Sequence, residues 1–346
     1  MTADSLVTRA PRQAAGHPLS FALTPRAAAA VTAVVVLLAL PALVTTFDVP
    51  SVVGLATQIL IYAVAAMSLN LVLGYGGMVT FGHAAFFGLG GYAVGILYLH
   101  SSEHSAFLGL VPGSDSLLVA LAVAMLVSGL VATLIGALSL RTSGVPFIMI
   151  TLAFAQMLFF LFFSLKAYGG DDGLMMRRRD SMPFFNVRDD TSYYYVCLAI
   201  AACWFMLTAL IVRSRFGFVL SGLRQNERRL TAVGVSPTRY RLVAFVIAGI
   251  GAGLAGALMA NNLRFVSPDM MHWTKSGELM MMVILGGAGT LTGPLLGAAA
   301  MVLLETCLAA QTENWQLYLG FILLAVVMLK PGGLAAIFDR LPGAKP

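Results

Sequence analysis

Seven arginines, at positions 213, 215, 224, 228, 229, 239 and 241, crowd a stretch that holds one acid, Glu227. Apolar segments flank it on both sides. Burying seven guanidinium groups at mid-bilayer costs about 20 kcal/mol, at roughly 3 per residue on insertion scales, so the stretch belongs in water. Excess positive charge between apolar segments marks the cytoplasmic face of a membrane. Val219, Leu220, Leu223, Leu230 and Val233 recur at about helical steps, and Gly234 and Pro237 follow as a stop signal. Two readings of this chemistry fit. A short amphipathic helix over 219–234 docks a partner through Leu223 and Leu230, with Glu227 between them to accept hydrogen bonds. A solvated basic loop only fixes topology.

Side chains suited to making or breaking bonds are sparse. GxxxxGKS/T, HExxH and GxSxG are all absent, so the chain binds no ATP in a P-loop and is expected to be neither an enzyme nor a cofactor carrier. GGDDG, from Gly169 to Gly173, has two aspartates without further acidic spacing, which reads as a polar turn on the outer face. Cys197, Cys203 and Cys307 all fall in apolar segments without metal-ligand spacing. Gln58, Asn70, Gln156 and Glu305 are polar residues within apolar segments. An acid at such a place is by default a functional candidate. Glu305, however, lies about one turn from the end of its segment, where a carboxylate reaches the interface. His83, in a Gly-rich turn, reads as a helix-start hydrogen-bonding residue in preference to a metal ligand or proton relay.

Apolar segments must position these residues. Of 346 residues, 59% are hydrophobic and 10% charged, against about 25% charged in soluble domains. The expected fold is all-α, a polytopic integral membrane protein of about ten spans, some broken by Gly-rich stretches. The net charge of +6 reflects positive-inside topology and not nucleic-acid binding. The spans are Ala27–Phe47, Val52–Leu73, Ala84–Leu99, Leu117–Leu140, Val145–Leu165, Tyr193–Val212, Leu242–Asn262, Leu279–Ala288, Leu291–Ala309 and Trp315–Leu329. Leu279–Ala288 is too short to cross unless part of Met270–Gly277 joins it. Residues 1–26 form a cytoplasmic N-terminal segment without a cleavable signal, 27–330 the membrane domain with its loop at 213–241, and 331–346 a cytoplasmic tail. Ten crossings with both termini inside place 14 of the 21 lysines and arginines in the cytoplasm. Arg177, Arg178 and Arg179 run against this rule, and five aspartates in 166–192 neutralise them.

GYGGMVTFGHAAFFGLGG, from Gly74, and GGAGTLTGPLLGAAA, from Gly286, interrupt apolar segments in the two halves of the chain. Unwound backbone at membrane depth survives only when packed in protein or lining a watery cavity. Paired interruptions point to a translocation path, for which Asn70, Gly76, Gly77, His83, Gly286, Gly287, Thr290 and Pro294 are the candidates. Glycines that only let helices pack closely are the other reading.

SLNLVLGYGGMVTFGHAAFFGLGGYA (68–93), GGDDGL (169–174), LRQNERRLTAVGVSPTRYRLVAFVIAGIGAGLAGAL (223–258), VSPDMMHWTKSGELMMMVILGGAGTLTGPLLGA (266–298) and PGGL (331–334) together resemble permease subunits of ATP-binding-cassette importers for branched-chain amino acids, of the LivM type. The resemblance runs from about Ala27 to Leu334. It implies a multi-pass inner-membrane subunit, a homologous second permease, two cytoplasmic ATPases that use the ATP, and a periplasmic binding protein. It also implies that Asn226, Glu227, Arg228, Arg229 and Gly234 belong to a helix seated in an ATPase cleft. Arginines replace the alanine pair of the EAA-type pattern, and the glycine comes seven residues after the glutamate instead of six. Similar permeases move urea, amides or aromatic acids. On the outer face, 166–192 and 266–278 are the expected docking surfaces. An ion-coupled secondary carrier is the rival class, and it needs an acid or histidine at the path.

Overall fold

The structure, a computed structural model, describes residues 35–41, 51–104, 106–107, 111–182, 187–329 and 332–336. The first expected span falls mostly outside these residues. Its described part, 35–41, is helical and is named α1. The following helices are α2 (Ser51–Asn70), α3 (His83–Ser102), α4 (Leu117–Ser139), α5 (Val145–Ser164), α6 (Asp190–Arg213), α7 (Arg215–Gln225), α8 (Glu227–Ala232), α9 (Pro237–Leu263), α10 (Trp273–Gly286), α11 (Gly293–Ala309) and α12 (Trp315–Leu329). Among the described residues, α2 to α6 and α9 are long and apolar enough to cross a membrane. The chain is therefore an all-α, multi-pass membrane protein.

α10 begins at Trp273, six residues before the expected start at Leu279, and thus recruits part of 270–277. At 1.5 Å per residue, its 14 residues reach about 21 Å and the 17 of α11 about 26 Å, both short of a hydrocarbon core of about 30 Å. The two half-length helices pack against each other.

The interior is built around α9, which packs against α2, α3 and α4. Within their most apolar windows, 72% of residues in α2 and in α9 are buried, against 22% in α5 and in α6. α2 and α9 are thus central, and α5 and α6 face lipid or a partner with side chains such as Phe160 and Leu210. The closest approach is between α3 and α9. A Cβ added at Gly90 would lie 1.9 Å from the Gly253 carbonyl oxygen, and one at Gly256 would lie 1.7 Å from that of Phe87. Alanine at either place drives two backbones apart.

Residues 219–234 do not form the single expected helix. The chain breaks at Asn226 (φ −156°, ψ 95°), which ends α7 and caps α8, its side-chain oxygen accepting from the Arg229 N–H at 3.0 Å. An asparagine competes with the helical backbone and is well suited to N-capping, and here that preference outweighs the apolar period. Arg239 and Arg241 lie in the first turns of α9.

At the opposite end of α9, Leu174–Met175 pairs antiparallel with Phe265–Val266, with Leu174 opposite Val266. This ladder ties the segment after α5 to the bundle at Leu174 and Met175.

Candidate functional site

Both Gly-rich interruptions and the basic stretch converge at one end of the bundle. α2 continues beyond Asn70 as a π turn, Leu71–Tyr75, in which the Gly76 N–H reaches the Leu71 carbonyl at 3.1 Å. The chain reverses at Gly77 (φ +66°) and returns to His83, the first residue of α3. His83 Nε2 then lies 3.0 Å from Ser68 Oγ. The Ser68 hydroxyl donates its one hydrogen to the Ala65 carbonyl at 2.7 Å, so His83 Nε2 carries a proton and donates to Ser68. The hairpin is thereby closed at its base by His83, which is buried.

The second interruption is a turn between α10 and α11. Gly287 (φ +115°) and Gly289 (φ +84°) adopt backbone conformations that L side chains rarely take. Thr290 Oγ1 donates to the Gly287 carbonyl at 2.8 Å and accepts from the Gly293 N–H at 3.1 Å, setting the start of α11 one residue before Pro294. Asn70 joins the two interruptions. Its Nδ2 donates to the Thr290 carbonyl at 2.8 Å, and its Oδ1 accepts from the Gly289 N–H at 2.9 Å. The pocket beside Asn70, which also touches Met67, Tyr75, Thr208 and Leu291, has about 10 Å³ of free space. That is room for one water and not for an amino acid.

α7 and the chain end close over this junction. The Arg224 stem crosses Gly77, where an added Cβ would lie 2.8 Å from its Cγ. Its Nη1 donates to the Gly74 carbonyl. From the tail, the Leu334 N–H donates to the Leu285 carbonyl at 2.9 Å, and Gly333 lies against Gly287. Asn70, Gly76, Gly77, Gly286, Gly287, Thr290 and Pro294 thus gather around one junction, and His83 stands at the far end of the first hairpin.

Leu223 and Leu230 do not share a docking face. Leu223 is already buried within the chain, and Leu230 leans on Gly222, where an added Cβ would lie 2.9 Å from its Cδ1. Glu227 is already paired within the chain. Arg241 forks onto it with bonds of 2.9 and 3.2 Å, which ties α8 to the start of α9. The outer side of Gln225, Asn226, Glu227, Arg228, Thr231 and Ala232 lines a broad open concavity of about 700 Å³. Phe218 on α7 and Val233, just after α8, stand exposed at 73% and 78%.

Two polar clusters were not foreseen. Lys275 Nζ pairs with Glu278 at 2.7 Å, and Tyr62 and Glu305 are electrostatic neighbours of the pair. Lys275 and Glu278 precede the expected start of their span, but the one-turn spacing of a Lys–Glu pair was a signal that the helix already includes them. The second cluster lies at the opposite end of the bundle from Arg224. Arg179 pairs with Asp190 at 2.7 Å and stacks 4.6 Å over the Tyr193 ring, while Arg178 pairs with Asp115 at 2.5 Å. Asn261 accepts from the Asp180 N–H at 3.0 Å and donates to its carboxylate at 3.1 Å. Burial pushes Asp180 up to about 6, against the lowering effect of the Asn261 bond. Arginines 178 and 179 therefore have specific partners, of which Asp115, Tyr193 and the Asn261 carbonyl lie outside 166–192.

Residues 51–329 match the family described as branched-chain amino acid transport system, permease component. The high-affinity branched-chain amino acid transport system permease protein LivM of Salmonella typhimurium is 28% identical over 306 residues, covering 82% of this chain and 69% of the relative. Its Escherichia coli counterpart is 26% identical over the same shares. An autoinducer 2 import system permease protein, LsrC of Klebsiella pneumoniae, is 29% identical over 43% of this chain and 44% of its own length. No solved structure gives a significant match. With four-fifths of its length matched, the chain belongs to the family of branched-chain amino acid transport system permease components.

Proposed function

We propose that this chain is the membrane permease of an ATP-binding-cassette importer that passes branched-chain or related amino acids inward across the inner membrane. A homologous second permease completes the path, and two separate ATPases hydrolyse the ATP. α7 and α8 lie on the cytoplasmic side with both chain termini, and an ATPase docks on their outer side. A binding protein delivers substrate at the opposite end, against 166–192 and the first residues of 266–278, before α10 begins. The observation that carries this reading is the meeting of the basic stretch with both Gly-rich turns. A surface where a partner can push lies directly on backbone suited to open and close a path. Exposed Phe218 and Val233, amid the arginines, support a protein partner there, and the LivM relatives support the substrate class.

The rival reading, an ion-coupled carrier, is favoured by one observation, the Lys275–Glu278–Glu305 cluster within membrane helices. Uptake of radiolabelled leucine into proteoliposomes separates the two. Uptake that requires co-reconstituted ATPases, ATP and binding protein supports the importer. Uptake by this chain alone under a proton or sodium gradient overturns it.

A further inference from the structure

We propose that Arg224 is a positioning residue that links α7 to both Gly-rich turns, so that a displacement of α7 moves the two turns as one body. The inference rests on the docking reading above and assigns to one side chain the transmission of that movement.

Three contacts place Arg224 at the meeting point. Its stem runs over Gly77, leaving no room for a Cβ there, with 2.8 Å from the Cβ position to its Cγ. Its Nη1 donates to the Gly74 carbonyl. The same nitrogen lies 3.2 Å from where a Cβ would stand on Gly289, whose neighbour atoms include the Gly74 carbonyl. Gly77 and Gly289 both have positive φ, so neither turn offers a side chain at this point. Bare backbone lies under the guanidinium in both halves of the chain.

The turns are already fastened to each other by Asn70. What they need, to respond to a partner at the α7 surface, is a connection to α7. Packing of Leu220 against Leu71 and Ala244 supplies an apolar contact that can slide. Arg224 supplies a directional one. A guanidinium is planar, always charged and carries five donors in a fixed fork, so it holds a carbonyl at a defined angle where a lysine ammonium holds it as a point charge. Arg241 serves a different purpose, holding α8 to α9 through Glu227. Arg224 itself stays accessible at the rim, which leaves it free to follow α7.

The test uses the complete importer in lipid nanodiscs, with native cysteines replaced and spin labels at Ser221→Cys on α7 and Thr292→Cys beside the second turn. Label-to-label distances are measured without nucleotide and with a non-hydrolysable ATP analogue. Uptake per ATP hydrolysed is measured on unlabelled protein. In the parent protein one narrow distance is expected in both states. In Arg224→Ala the distribution broadens with nucleotide, and uptake per ATP falls about tenfold, within the usual range of coupling between sites. Arg224→Lys restores part of both. Parent-like distances and uptake per ATP in Arg224→Ala overturn the proposal while leaving the docking reading intact. Loss of the ATPases from Arg224→Ala also overturns it, because Arg224 is then a docking contact. If Arg224→Ala fails to reach the membrane, Arg224→Gln, which keeps most of the stem, is measured instead, and parent-like values in it overturn the link. If the parent chain holds no ATPase, the docking reading fails and the inference falls with it.

Discussion

Asn70, at the end of α2, holds the backbone of residues 219 and 220 positions away through both ends of one carboxamide. Its Nδ2 and Oδ1 satisfy the Thr290 carbonyl and the Gly289 N–H, and the side chain is buried while it does so. An unpaired buried polar group costs about 1–3 kcal/mol. Asn70→Leu strands two such groups and is expected to destabilise the protein by about 2–6 kcal/mol, with uptake lost. Asn70→Asp keeps the acceptor, loses the donor and adds a charge, so it destabilises as well. Thermal unfolding of the purified chain checks this. A midpoint unchanged in Asn70→Leu rules out the clamp.

The Glu227–Arg241 pair is half exposed on the glutamate side, with 45% and 19% side-chain exposure, so solvent screens it. Pairs of this kind contribute about 0–1 kcal/mol, and Glu227→Ala should barely alter thermal stability. Its effect is expected in docking, because α8 loses its tether to α9. ATPase co-purification should fall in Glu227→Ala and in Arg241→Ala, and recover in the exchanged pair Glu227→Arg with Arg241→Glu. Full co-purification in both single variants would mean that α8 needs no tether.

Asp180 makes the loop anchor pH-dependent. Its folded value of about 6 is raised above the ordinary 3.8, so the folded protein binds this proton more tightly than the unfolded chain does. The stability gained from protonation is fully present below pH 3.8 and is lost as pH rises through 6. At 1.36 kcal/mol per unit, the loss is about 3 kcal/mol. Asp180→Asn should be more stable than the parent at pH 8 and should flatten the dependence between pH 4 and 7. A parent stability that rises across that window would contradict the sign.

Topology can be read directly. Cysteines placed at Ser221 and Ser181, in a background without the native three, are expected to label from opposite faces of the membrane, Ser221 from the cytoplasm. Labelling of both from one face removes the arrangement of ten crossings with both termini inside.

The membrane helices were legible in the sequence because length and apolarity alone define them. α12 has the expected bounds, and α2 to α6, α9 and α11 differ by five residues or fewer at their ends. The start of α10 was missed because Lys275 and Glu278 lower local hydropathy, although each neutralises the other. In the basic stretch, the Leu223–Leu230 spacing suggested one helix, but Asn226 is as good a cap as a helix interior residue is poor, and two helices result. The candidate glycines could be named from their spacing. Their partners could not, since Asn70, Arg224 and Leu334 reach them from three separate parts of the chain and no local pattern encodes such distances.

The π turn at Leu71–Tyr75 carries one residue more than an α turn would need. Relaxing it to α geometry pulls that residue through the helix in a single increment, about 1.5 Å of advance with about 100° of rotation, and no intermediate register keeps the hydrogen bonds. Gly76 and Gly77 follow directly after it. A one-residue change of register in the π turn would therefore shift both glycines by that single increment.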